Sequence, residues 1–233
     1  MAEVNHLGQP VGLPVDLALP RPAPQHLTLA GRYGAVVPLE AGHADALFAA
    51  YSEDPEGRGW TYMPLHPWPD VATARAWAMQ AAESEDPLFF AVTDPDGVAL
   101  GVCSYLRIAP EVGSVEVGFI HFAPPLQRTR LATEAMALMM GHVFDHLGYR
   151  RYEWKCDALN APSRAAAGRL GFTYEGTFRQ ATVVKGRNRD TAWFSVIDSE
   201  WPRLKAGFEA WLAPENFDAE GRQKVSLKAL REG

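Results

Sequence analysis

Apolar and polar positions along this chain fall into segments of strand and helix length, separated by turn residues. Residues 88–93 (LFFAVT) and 98–108 (VALGVCSYLRI) are apolar runs that read as strands, and Asp94-Pro95-Asp96-Gly97 between them is a strong turn. In 114–122 (SVEVGFIHF), Val115 and Val117 alternate with Glu116, which predicts a third strand. Residues 151–157 (RYEWKCD) alternate in the same way. Further strands fit 27–37, 172–180 and 189–197. Met136, Met139, Met140, Val143 and Leu147 recur at helical spacing and predict a long helix over 130–147, stopped by Gly148. Shorter helices fit 42–52 (Leu47, Phe48 and Tyr51 on one stripe), 70–84 behind an Asp70 N-cap, and 200–212. Another fits 161–170, with Pro162 in its first turn and Gly171 just past its end.

The order is strand, two helices, three strands, helix, strand, helix, two strands, helix. Strands joined by tight turns pair antiparallel, whereas 114–122 and 151–157 flank a helical crossover and must run parallel. The expected fold class is therefore α/β: a single-domain mixed, mostly antiparallel twisted sheet flanked by helices on both faces. This domain covers 26–212. Residues 1–25 carry Pro10, Pro14, Pro20, Pro22 and Pro24 and should form an extended surface arm. Residues 213–233 are polar and are expected to be a loosely held tail.

Composition narrows the function. A net charge of −6 over 233 residues argues against nucleic acid as the main partner. Basic residues nevertheless cluster at Arg128 and Arg130, at Arg150 and Arg151, and from Lys185 to Arg189, which suits a small anionic ligand. Cys103 and Cys156 lie in strand-like runs without metal-type spacing and read as buried thiols of a reducing cytosol. No apolar run approaches the roughly 20 residues of a membrane helix, and no signal peptide is apparent. These features predict a cytoplasmic protein, monomeric or homodimeric, with no membrane, nucleic-acid or metal partner.

Two segments carry chemistry. In 117–134 a strand ends, Pro124-Pro125 forces a turn, and a helix begins near Arg130. First-turn amides lack intrahelical partners and, with the helix dipole, bind anions. Gln127, Arg128, Thr129 and Arg130 surround that spot with donors, so a pyrophosphate would suit it; an ordinary solvated helix start with a basic turn is the plain alternative. In 154–172 a strand exits into Asn160, a helix follows, and Leu170-Gly171-Phe172 turns into the next strand.

Over roughly 27–198 the chain resembles the GNAT superfamily of N-acetyltransferases, in particular its Rim-type branch of ribosomal-protein N-terminal acetyltransferases and their small-molecule relatives. Asn160, Ser163, Gly171 and Phe172 match that branch's Asn-x-x-Ser…Gly-Phe pattern. Gln127 to Ala132 align with its pyrophosphate loop, and Thr133-Glu134-Ala135 with the triplet that commonly follows. The resemblance implies a GNAT-like acyl-CoA N-acyltransferase fold, an N-acetyltransferase domain over 26–212, and acetyl-CoA as cosubstrate. It places the coenzyme against Gln127, Arg128, Thr129, Arg130, Leu131, Ala132, Thr133, Asn160 and Ser163, with a backbone N–H at Phe119 or Ile120 polarising the thioester. Ser163 is expected to take the thiol contact, a simple helix first-turn cap being the plain alternative. The family's central glycine is Arg130 here, another frequent glycine is Arg128, and the tyrosine many members use as proton donor is Ala167.

Acetyl transfer needs a neutral amine, donors for the oxyanion and a proton for the departing thiolate. Glu116 is the first candidate for the base, a surface or paired strand glutamate being its plain alternative, with Asp157, His121 or a water chain as other candidates. The residues Trp60, Tyr62 and Trp68, in the loop-like stretch 53–69, are expected to bind the acceptor amine or else to plug the core beneath that loop. Lys185 to Asp190 reads as a charged hairpin turn that either rims the acceptor site or is simply solvated. The expected activity is transfer of acetyl from acetyl-CoA to a primary amine of a small molecule or protein N-terminus. The competing readings are a non-catalytic acyl-CoA-binding module and an unrelated α/β domain.

Overall fold

A computed structural model describes residues 3–232. A small hairpin, β1 (Glu3–Val4) with β2 (Pro10–Val11), opens the N-terminal arm. The arm is anchored where the Arg21 guanidinium donates to Leu147 O at 2.9 Å. The main sheet has eight strands: β3 (Leu29–Ala30), β4 (Ala35–Pro38), β5 (Leu88–Thr93), β6 (Ala99–Ala109), β7 (Ser114–Phe122), β8 (Arg151–Asp157), β9 (Thr173–Val184) and β10 (Arg187–Ile197). Their spatial order is β3-β4-β5-β6-β7-β8-β10-β9, and only β7 and β8 pair in parallel.

The helices are α1 (Ala44–Tyr51), α2 (Val71–Ala82), α3 (Arg130–Gly141), α4 (Ala161–Leu170), α5 (Trp201–Leu212) and α6 (Leu227–Glu232). Helices α3 to α6 cover one face of the sheet. Val115, Val117, Tyr152 and Trp154 meet Met136, Met139, Leu170 and Phe208 there in the larger core. Helices α1 and α2 cover the other face, where Leu47, Tyr51 and Trp60 pack on Phe89, Ala91 and Val102. Asp70 caps α2 by accepting Thr73 N at 2.7 Å, as the sequence predicts. Both cysteines are buried and free. Among the described residues no helix is long and apolar enough to cross a membrane.

The structure departs from the sequence reading in four places. The strand expected over 27–37 is two short strands around a turn, because the buried Glu134 carboxylate accepts Arg32 N and Tyr33 N, each at 2.7 Å. The helix expected over 130–147 widens at its end into a π turn, His142–His146, with Leu147 N bonded to His142 O. The last hairpin is longer than expected. Lys185 and Gly186 (φ +50° and +72°) make a two-residue turn, so β9 and β10 run to Val184 and from Arg187. The segment after α5 is not loosely held. Leu227 is 1% exposed, Trp211 Nε1 donates to Gln223 Oε1 at 2.7 Å, and Asn216 bonds Trp211 O and Val225 N.

Candidate active site

The parallel pair β7–β8 ends early. Its register runs from Ser114 opposite Arg151 to Val117 opposite Trp154, and no pair follows. Beyond that point β7 stays with β6 while β8 stays with β10. A fork therefore opens between the two strands, from Gly118 on one side and Lys155 on the other. Its cause is local. The β6–β7 register slips between Val102 and Ser104, so Phe119 and Ile120 together face Cys103. Phe119 takes φ +46°, an uncommon value for a bulky residue, and its ring is held against Phe89 at 5.1 Å and Trp77 at 5.7 Å. The expected polarising amides at Phe119 and Ile120 thus sit on the strand edge that β8 has left.

The turn into α3 follows. Leu126 N and Gln127 N donate to Ala123 O, and Thr129 N to Leu126 O. Thr129 is the N-cap, its hydroxyl accepting Ala132 N at 3.1 Å. Gln127 Nε2 donates to Phe122 O at 2.8 Å, steadying the strand exit. Thr129 N, Ala132 N and the Gln127 side chain are thus engaged within the protein. Among the described residues, the amides of Arg128, Arg130 and Leu131 have no protein acceptor. Arg128 stands at φ +63°, the left-handed conformation that suits the glycine frequent at this position. Arg130's guanidinium lies between the rings of Tyr33 and Phe217. Thr133 is buried, its hydroxyl accepting from Arg169 at 3.0 Å, so it faces inward rather than toward the fork.

Across the fork, Asn160 is the N-cap of α4, its Oδ1 accepting Ser163 N at 3.1 Å. Ser163 Oγ accepts from Trp154 Nε1 at 3.0 Å, and Trp154 is the last β8 residue paired to β7. The serine oxygen is therefore held at the point where the strands separate. It lies beside Cys156, whose thiol burial pushes up while the hydroxyl pulls it down. Asp157 accepts Leu159 N at 2.8 Å and shapes the loop into α4.

Glu116 is buried on the opposite sheet face. Its Oε2 meets Arg107 Nε at 2.6 Å and Lys155 Nζ at 3.0 Å. Lys155, with 3% side-chain exposure, also binds Glu153 at 2.7 Å and sits 3.7 Å from the centre of the Trp193 ring. Arg151 links Glu153 to Glu175, and Ser195 donates to Glu175, which lies near 2, held down chiefly by Arg151. Glu116 is thus a link in an ion-pair chain that runs from Arg107 on β6 through β7 and β8 to Glu175 on β9. Sequence reasoning missed Lys155. The alternation of Arg151, Glu153, Lys155 and Asp157 placed it on the polar face, but only the strand register brings it to Glu116.

His121 lies further along β7, stacked on Tyr51 with ring centres 4.1 Å apart and against Trp60 at 4.2 Å. Burial lowers its pKa to about 4, with Lys185 adding to the drop and Asp54 opposing it. A histidine depressed when folded is a source of stability above about pH 6.5 that is lost as pH falls toward about 4, because the unfolded chain binds the proton first. Unfolding free energy should therefore drop by about 3 kcal/mol across that window on His121's account. His43 and His142, also lowered by burial, add in the same direction. Denaturant titrations of wild type and His121→Gln between these pH values isolate the contribution: a flatter curve is expected for the variant, and parallel curves would contradict the assignment.

The aromatic loop spans the mouth of the fork. Trp60 is 4% exposed and packs on Trp68 at 5.2 Å and Tyr51 at 5.4 Å, so these rings fill one another's space rather than wall an open pocket. Tyr62 Oη donates to Leu159 O at 3.1 Å, past the end of β8. Lys185 Nζ, at the tip of the last hairpin, donates to Trp60 O at 2.7 Å. The loop thereby joins β7, the β8–α4 loop and the hairpin, and closes one side of the fork. Two grooves lie elsewhere. One of about 740 Å³ lies under the N-terminal arm beside Arg150 and Ile197, and one of about 630 Å³ between β3, α3 and α5. Neither touches the fork, and volume alone does not supply the donors gathered there. Among the described residues no cluster of three or more His, Cys, Asp or Glu is placed to hold a metal.

Comparison with known proteins points to one family. Residues 35–173 match the model of an acetyltransferase (GNAT) domain. The chain is 29% identical over 171 residues to p20, an uncharacterized N-acetyltransferase of Bacillus licheniformis, covering 70% of this chain and 92% of that protein. A crystal structure of a GCN5-related N-acetyltransferase from Brucella melitensis superposes with a TM-score of 0.91 at 49% identity, covering 94% of this chain and 100% of the other. The microcin C7 self-immunity acetyltransferase MccE, solved with acetyl-CoA and AMP, shares the fold at a TM-score of 0.62 and 20% identity, covering 72% of this chain and 93% of its own. A strand fork, a helix start with unpartnered amides and a family match over more than half the chain lead to one conclusion: this protein belongs to the GNAT acetyltransferase family.

Proposed function

We propose that this acetyltransferase moves an acetyl group from acetyl-CoA to a primary amine, of a small molecule or a protein N-terminus, by direct attack in a ternary complex. The observation that carries the reading is the coincidence of the β7–β8 fork with the unpartnered amides of Arg128, Arg130 and Leu131 at its mouth. Acetyl-CoA supplies the thioester. The three amides and the α3 dipole suit its diphosphate. The β7 edge at Phe119–Ile120 offers a backbone donor to the acyl oxygen, where negative charge develops as the amine adds.

The proton inventory follows from the fixed groups. Ser163 accepts from Trp154 and keeps an O–H that can turn to donate to the departing sulfur. Asn160 holds that serine through the α4 cap. Removal of the amine proton falls to Glu116. Tyr62 and Lys185 rim the acceptor side, and the packed Trp60–Trp68 cluster supports that rim from behind. The buried, unpaired thiols fit a reducing cytoplasm.

The test is thiol release from acetyl-CoA with a panel of primary amines, including peptides with free N-termini. Amine-dependent release that saturates in both substrates supports the reading. Tight CoA binding with no release for any amine would instead leave a coenzyme-binding module.

A further inference from the structure

The end of α5 and the segment after it reach the first turn of α3 at two points. Phe217 closes one side of Arg130, its ring centre 4.8 Å from the guanidinium carbon, and Tyr33 closes the other side at 4.9 Å. Trp211 carries the Arg169 guanidinium at 4.8 Å, and Arg169 donates to Thr133 Oγ1 at 3.0 Å. The aromatic parts are themselves fixed. Tyr33 Oη donates to Leu212 O at 2.8 Å, Phe217 stacks edge-on against Trp211 at 5.1 Å, and Phe217 pairs with Gln223 in an isolated bridge. Among the described residues neither Arg130 nor Arg169 has a carboxylate in salt-bridge contact, on a chain of net charge −6. Two guanidiniums left without a counter-charge are therefore held on aromatic faces beside the turn that carries the unpartnered amides.

We infer that Phe217 and Tyr33 are positioning residues for the coenzyme, clamping Arg130 so that its charge stands ready beside the diphosphate. The inference rests on the diphosphate lying at the start of α3. It gives the C-terminal segment a part in coenzyme affinity and explains how arginine serves where the family has glycine. A flexible arginine there would lose side-chain freedom when the anion arrives; the aromatic clamp has already removed that freedom.

The test compares acetyl-CoA with S-acetylpantetheine, which carries the thioester but no phosphate. Phe217→Leu keeps apolar bulk and removes the aromatic face. It should raise the KM for acetyl-CoA about tenfold, leave kcat within about twofold, and leave the KM for S-acetylpantetheine unchanged. Phe217→Tyr should restore the wild-type value. If Phe217→Leu does not fold, Tyr33→Leu is measured in the same way. An equal rise for both donors, or none for either, overturns the clamp. A wild type that fails to bind CoA at all would instead overturn the coenzyme reading beneath it.

Discussion

Ser163→Ala is expected to lower turnover by about a hundredfold while changing CoA affinity by less than about threefold. The asymmetry follows from where the hydroxyl sits. Its oxygen accepts from Trp154 Nε1 at 3.0 Å and its backbone amide donates to Asn160, so the group is held in place while its O–H remains available as a donor. A donor fixed at the fork has little to stabilise in the ground state and much when negative charge builds on sulfur. The substitution also strands the Trp154 indole N–H, a loss of about 1–3 kcal/mol in stability. Steady-state kinetics should therefore be run with thermal melts, well below the variant's transition. Unchanged kcat would remove Ser163 from the chemistry, and equal losses in kcat and affinity would make it a binding contact.

Glu116→Ala is expected to destabilise the fold by about 3 kcal/mol, one of the largest single effects in the molecule. Lys155 is nearly inaccessible to water and shares its charge between Glu116 and Glu153. Removing one carboxylate leaves the lysine with a single partner in a site where hydration cannot compensate. Replacing both members, as in Glu116→Leu with Lys155→Met, should recover most of the loss, because the penalty belongs to the stranded charge rather than to the missing attraction. Chemical denaturation of the two single variants and the double variant measures this coupling. A Glu116→Ala variant within about 0.5 kcal/mol of wild type would show that the ion-pair chain does not hold the fork. Glu116→Gln, which keeps the shape, addresses catalysis separately: loss of kcat with an altered pH profile supports proton removal by Glu116, and wild-type kcat contradicts it.

How much of this was legible in the sequence depends on how local each determinant is. Strands 88–93, 114–122 and 151–157 and helix 161–170 coincide with the structure because apolar runs bounded by turn residues and caps specify them without distant help. The short strands around Gly31–Gly34 were read as one, since what breaks them is Glu134, about a hundred residues away in sequence. The C-terminal segment misled for a related reason. Its polar composition hides Phe217 and Leu227, each spaced to reach a pocket built by other elements.

The same division holds at the site. Asn160 and Ser163 could be placed because capping is decided within four residues, and the parallel strand pair follows from a single crossover. Two features had no local signal: the engagement of Gln127 by its own strand, and the Lys155–Glu116 pairing, which needs the register of two strands. The basic turn at 128–130 was visible as charge. That one of its arginines would be stacked between aromatic rings was not, because Tyr33 and Phe217 lie nearly two hundred residues apart in the chain.

The structure of the protein crystallised with CoA tests the account most directly. The diphosphate oxygens should lie within hydrogen-bonding distance of the backbone amides of Arg128, Arg130 and Leu131, and the sulfur should lie between β7 and β8 next to the Ser163 hydroxyl. A diphosphate seated in the groove between β3, α3 and α5, or a pantetheine arm that never enters the space between the two strands, would contradict it.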